Sequence, residues 1–235
     1  MFGLYDFPLS KEQEGIFLSV TRRNGNFFYE RNCMDETVER MILANDQKIL
    51  INPVEPLNKP KAIISNLFVD LDTVLMIEPK ATKKIYLTFP IEIGVYISRG
   101  GDFQILDIFT LSKQKFILYG DPKNGVICKY WKSGLFSEIP AKSPIREGVL
   151  ELQISNPNSH WVEVSKAIFN AYGMKIYYNK KMVSMKAQMK LRNGDLAETD
   201  FKDSPLEKKM KKSLEIYTAR KLSVGSTKFV MEFGL

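Results

Sequence analysis

Histidine is nearly missing from this chain, with His160 standing alone among 235 residues. Metal centres that need two or more imidazoles are therefore excluded. Cysteine is scarce as well. Cys33 and Cys128 are far apart and neither belongs to a C-x-x-C pair, so a structural zinc site and a disulfide-stapled scaffold lack support. Their number fits a reduced, cytoplasmic protein, and their spacing leaves open one bridge between them. No apolar run approaches the roughly 18 residues of a membrane span. The opening MFGLYDFPLSKEQEG has no basic stretch leading into an apolar one, so no secretory leader is expected. Neither G-x-x-x-x-G-K-[ST] nor G-x-G-x-x-G occurs, which removes the glycine-loop modes of nucleotide binding. No cofactor is expected.

The few groups left for chemistry are poorly placed for it. A nucleophilic pair would have to join His160 to Cys33 or Cys128. His160 sits between NPNS and Trp161, where it reads as a histidine flanking a turn. Asp70 and Asp72 in DLD point to one face of a strand end, but no third acid lies nearby, so no metal is assigned to them.

What the chain has in abundance is alternation. In Val183–Leu191, VSMKAQMKL, the residues Val183, Met185, Ala187, Met189 and Leu191 alternate with Ser184, Lys186, Gln188 and Lys190. Met182, Met185 and Met189 also fit a helical spacing, yet the strict alternation outweighs it and predicts a half-buried strand with a basic outer face. Similar runs recur, among them GIFLSV (15–20), NFFYE (26–30), KILINPV (48–54), KIYLTFPIEIGVYI (84–97), KFILYG (115–120), GVLELQI (148–154) and KFVMEF (228–233). Asn24-Gly25, Gly100-Gly101, Asp121-Pro122, Asn124-Gly125, Asn156-Pro157 and Asn193-Gly194 punctuate them as turns.

The expected fold is therefore mainly β, antiparallel and sandwich-like, in two packed β domains. The Ser-, Pro- and Gly-rich stretch 132–148 supplies the boundary, giving domains 1–140 and 147–235. One short helix is expected near the C-terminus, where Ser204 caps, Pro205 starts and Glu207 completes a capping box. Leu206, Met210 and Leu214 would line its apolar face, and LEIYTARKL (214–222) then alternates again.

Two candidate sites follow. The first is Glu92 in FPIEIGVYI, a carboxylate inside an otherwise apolar, Gly- and Tyr-containing strand. Ile91, Ile93, Val95 and Ile97 share one face, and Glu92, Gly94 and Tyr96 share the other. Glu92 reads as a carboxylate on a half-covered face, or as half of a buried ion pair or pocket with Lys115 or Lys129 on neighbouring strands. Such a pair fixes register more than it stabilises. The second site is basic. From Lys166 to Arg192 there are seven cations and no acid. Within it Lys175, Lys180, Lys181, Lys186, Lys190 and Arg192 surround Tyr177 and Tyr178, an arrangement suited to stacking bases and neutralising phosphates. Lys208, Lys209, Lys211 and Lys212 add to the charge. No RNP-like or KH-like motif accompanies them, and a lysine-rich strand face also guards an edge against aggregation.

The strings INPVEPLNKP (51–60), TFPIEIGVYI (88–97), KQKFILYGDPKNGVICKYWKS (113–133), EGVLELQISN (147–156) and KFVMEFGL (228–235), with the opening MFGLYDFP, resemble an archaeal family of uncharacterised proteins, a domain of unknown function. The resemblance spans most of the chain and implies an archaeal cytoplasmic protein. It implies no activity and assigns no role to Glu92 or its neighbours. The residues themselves support three readings: a non-enzymatic binding or assembly protein that meets a protein partner, or itself, through β surfaces; an RNA- or ribosome-associated factor; and a small-molecule binder or enzyme around Glu92.

Overall fold

The computed structural model describes residues 1–43, 47–58, 64–99, 102–216 and 227–235. The expected Gly100-Gly101 turn and most of the alternation over 214–222 lie outside them. A short strand β1 (Gly3–Asp6) leads into a meander of β2 (Leu9–Gln13), β3 (Ile16–Arg23), β4 (Asn26–Cys33) and β5 (Glu36–Ile42). The β3–β4 turn is the predicted Asn24-Gly25, with both residues left-handed at φ 50° and 84°, as a two-residue hairpin demands. Next come β6 (Lys48–Val54), the long β7 (Asn66–Ile77) and β8 (Ala81–Pro90), β9 (Glu92–Arg99) and β10 (Asp102–Phe109). The chain continues through β11 (Phe116–Tyr119), β12 (Val126–Ser133), β13 (Glu147–Asn156), β14 (Val162–Asn170) and β15 (Tyr177–Tyr178). It closes with β16 (Val183–Leu191), β17 (Ala197–Lys202), β18 (Lys211–Lys212) and β19 (Phe229–Met231).

These strands form four sheets around two principal cores. The meander β2-β3-β4-β5 and the sheet β1-β6-β9-β10 enclose the smaller core, which holds Leu18, Tyr29, Ile51, Val95 and Phe109. The sheet β11-β12-β7-β14 and the sheet built on β18-β15-β16-β13-β8, with β17 and β19 attached, enclose the larger core. That core holds Phe68, Leu87, Leu152, Ile168 and Met185. Alternation explains the packing directly. All five apolar residues named in β16 are buried, while Gln188 and Lys190 are exposed and Lys186 is half-buried. Ser184 departs from the pattern because its hydroxyl is buried against the Met210 sulfur, 3.2 Å away.

The strand pairs are mainly antiparallel, as expected, with β13 parallel to β16 and β12 parallel to β7. Two expectations need correction. The break placed at 132–148 divides strands that pair: β8 before it pairs with β13 after it over ten residues, from Glu147↔Pro90 to Asn156↔Ala81. The composition change there marks a surface crossing, where Phe136 and Tyr86 exchange backbone hydrogen bonds at 2.9 and 3.0 Å. The helix at 204–214 does not form. Glu207 accepts from the Asn179 side chain, not the backbone of Ser204, so the capping box is not made. Met210 is drawn into the interior, and Lys211 and Lys212 pair as a strand with Tyr178 and Tyr177. Burial of one methionine and a backbone ladder outweigh a local helical preference.

Leu152 is fully buried at the centre of the larger core. Leu152→Ala should lower the urea unfolding free energy by about 2–5 kcal/mol, read from the shift in unfolding midpoint.

Candidate functional site

Glu92 opens β9 at the junction of the two cores. Ile91 before it belongs to the larger core, and Ile93 after it to the smaller. Its own side chain is fully buried, as is that of Lys129 on β12. The Lys129 ammonium lies 3.5 Å from Glu92 Oε1 and also donates to Gln114 Oε1, while Glu92 Oε2 accepts from the Asn58 backbone N–H at 3.1 Å. Burial pulls the Lys129 ammonium below the usual lysine range, and the Glu92 charge and hydrogen bond oppose that fall. One carboxylate and one ammonium thus tie β9 to β12, joining a strand of one sheet pair to a strand of the other. Lys115 is not part of this arrangement. It is exposed just before β11, and its carbonyl accepts from the Tyr130 N–H.

A polar seam extends from the pair. Asn52 donates to the Pro53 carbonyl at 2.9 Å and to the Ser213 hydroxyl at 2.7 Å, holding the segment after β18 against the end of β6. Glu55 accepts from the Ile216 N–H at 3.2 Å, and its Oε1 is buried without a hydrogen-bond partner. Burial is the main cause that pushes its carboxyl up to about 7. The Glu215 carboxylate adds to the rise, whereas backbone N–H groups and Lys175 oppose it. Glu55 is a buried proton-binding group poised near neutrality.

The predicted basic face is divided, and its aromatic component fails. Tyr177 and Tyr178 are only 9% and 6% exposed, so they offer no stacking surface. Tyr178 meets Phe2 edge-on at 5.5 Å, and the Tyr177 hydroxyl donates to Asp203 at 2.7 Å. Several cations already have acidic partners. Lys175 pairs with Glu215 at 2.7 Å, Lys212 with Asp203 at 2.7 Å, Arg192 with Glu198 at 2.6 Å and Lys186 with Glu151 at 3.7 Å. The Arg192 guanidinium holds the Glu198 carboxyl below its usual range. Lys190 and Arg192 line an open depression of about 400 Å³ with Gln153, Gln188 and Lys202 on the outer face of the β16 sheet. Lys180, Lys181 and Lys208 are exposed around the margin formed by β15 and β18.

The remaining sequence candidates stay apart. Cys33 is buried in the smaller core and Cys128 in the larger, and burial pushes the Cys128 thiol up to about 12. His160 is exposed in the β13–β14 turn. Asp70 accepts from the Tyr130 hydroxyl at 2.6 Å, and Asp72 is exposed. Among the described residues no group of three or more His, Cys, Asp or Glu is assembled to hold a metal ion. No described helix is long and apolar enough to cross a membrane.

One buried cluster escaped sequence reading. Arg31 on β4 meets Asp107 on β10 at 2.6 Å, and the Tyr29 hydroxyl donates to the same Asp107 oxygen at 2.9 Å. Burial, reinforced by Asp107, raises the Tyr29 hydroxyl far above its ordinary range. The signal was present on β4, where Phe27, Tyr29, Arg31 and Cys33 share the inward row. It was hidden on β10 by a bulge between Ile105 and Asp107 that turns the aspartate inward.

Two joined pairs of β-sheets, fastened by buried ion pairs, define an all-β protein whose ionised interior side chains link sheets. The chain belongs to the family described as protein of unknown function DUF432, whose model matches residues 1–232. No curated protein and no solved structure matches it.

Lys129→Met leaves Glu92 as a buried charge without its cation and should cost about 3–5 kcal/mol in denaturant unfolding. The double variant Glu92→Gln/Lys129→Met should recover part of that loss. Glu55 gives a second test. Its carboxyl releases a proton near 4.5 when unfolded and near 7 when folded. Its contribution to stability is therefore complete below about 4.5, declines as pH rises to about 7, and is flat beyond. Glu55→Gln should remove this slope, shifting the difference from wild type by on the order of 3 kcal/mol between pH 4.5 and 8 in urea midpoints.

Proposed function

We propose that this protein is a non-enzymatic binding or assembly module that meets another macromolecule through its β surfaces. The supporting observation is a row of large apolar side chains, Phe116, Leu118 and Ile127, exposed together at the margin formed by β11 and β12. The ionised side chains of the interior are by contrast engaged in holding sheets together, as at Glu92–Lys129 and Arg31–Asp107. The RNA reading loses its stacking platform with the burial of Tyr177 and Tyr178, and the pocket reading loses Lys115.

Purification of the tagged protein from its source cells at low and high salt tests the proposal. A protein partner in fixed ratio should remain at both salt levels and be lost from the Phe116→Asp/Ile127→Asp variant. Recovery of RNA that leaves as salt rises, with no protein partner retained, would overturn it.

A further inference from the structure

We infer that the free edge of β11 is a strand-capture site for an extended, acidic peptide segment of a partner protein. The inference rests on the binding-module reading and adds where the partner docks and of what chemistry. Among the described residues β11 is an edge strand of the sheet β11-β12-β7-β14, bonded to β12 on one side only. The antiparallel register Phe116↔Lys129 to Tyr119↔Val126, together with the Tyr130 N–H donating to the Lys115 carbonyl, fixes which groups face outward. Residues 115, 117 and 119 form the hydrogen-bonded pairs with β12. The N–H and C=O of Phe116 and Leu118 therefore point away from the sheet, where another strand would bond to them.

The side chains of the same two residues stand on one face, 44% and 43% exposed, with Ile127 at 49% directly across from Leu118. An incoming strand with an apolar residue at every second position would cover this row. Edge strands are ordinarily shielded by proline, by a bulge or by an inward charge. β11 has none of these within Phe116–Tyr119.

Charge names the occupant. Lys113 and Lys115 precede the strand and, with Tyr130, Trp131 and Lys132, line a depression of about 260 Å³ beside it. Lys123 follows in the turn. Across residues 110–132 the sole acid is Asp121, and its carboxylate is occupied by the N–H groups of Lys123 and Asn124 at 2.8 and 2.9 Å. A second copy docking edge to edge would gather Lys113, Lys115 and Lys123 of both chains, each chain carrying a net charge of +7, at one interface. A partner strand carrying glutamate or aspartate between its apolar residues meets complementary charge at both ends.

The probe is a capped eight-residue peptide of alternating glutamate and valine, titrated into the full-length protein while amide hydrogen exchange is followed by NMR. Exchange should slow at Phe116 and Leu118, and stay unchanged at Ile117 and Tyr119, whose amides already face β12. Leu118→Pro removes one outward donor and keeps the bonds to β12, a placement that proline tolerates on an edge. It should weaken binding about tenfold. Lys113→Glu/Lys115→Glu, which alters exposed side chains only, should reverse the preference toward a lysine–valine peptide of the same length. Equal binding of both peptides by wild type, unchanged exchange at Phe116 and Leu118, or unaltered affinity in Leu118→Pro would each overturn the inference. So would a dimer, detected by light scattering, that Leu118→Pro abolishes. A cellular partner retained equally by wild type and Leu118→Pro would overturn strand capture and leave the binding-module reading in place.

Discussion

Glu92 and Lys129 are the point through which the two halves of the molecule are fixed to one another. Neither charge has solvent to stabilise it, so each needs the other and its auxiliary bonds, the Asn58 amide for the carboxylate and Gln114 for the ammonium. Such a pair adds little net stability compared with apolar groups of equal size, but it severely penalises any arrangement that separates the partners. Its placement turns that penalty into geometry. The chain passes from the larger core at Ile91 to the smaller at Ile93, and the ion pair sets the position of β9 against β12 at the crossing. Phe2, packed against both cores, reinforces the join from the N-terminal side.

The Arg31–Asp107 pair plays the same part within the smaller core, linking the meander to the sheet beside it. In both cases ionised side chains are buried among apolar and aromatic neighbours. Asn52 and Glu55 continue the theme at the end of β6, where they hold the backbone around Ser213 and Ile216. Polar groups bonded in this way specify which sheets meet, while apolar burial supplies most of the driving force.

Alternation is a local property, and what depended on it was legible in the sequence. The β16 residues Val183, Met185, Ala187, Met189 and Leu191 face inward as a period of two requires. Glu92 could be singled out because it interrupts an apolar strand, and Lys129 named with it because it lies on a neighbouring predicted strand, but spacing carried no information on which cation would reach the carboxylate, and Lys115 was an equal candidate. Non-local choices left weaker traces. The bulge that turns Asp107 inward costs one residue of register and no obvious change of composition. The capping-box residues Ser204 and Glu207 were present, yet Asn179 and the pairing of Lys211–Lys212 with β15 claimed that backbone. The exposure of Tyr177 and Tyr178 could not be read from their lysine neighbours, because two adjacent aromatics on one short strand were both covered, one by Phe2 and one by Asp203.

The register between β8 and β13 has a consequence for the ribosome. Ala81 finds its partner only when Asn156 has been made, and β13 in turn lies parallel to β16, later still in the chain. At translation speeds of roughly 5–20 residues per second, β7 and β8 emerge several seconds before the strands that cover them. The meander β2–β5 consists of neighbours in sequence and can close early, whereas the larger core must await nearly the whole polypeptide. Nascent chains stalled between these points would carry a formed hairpin array followed by uncovered Leu67, Val69 and Leu87, the kind of apolar surface that makes chaperones necessary.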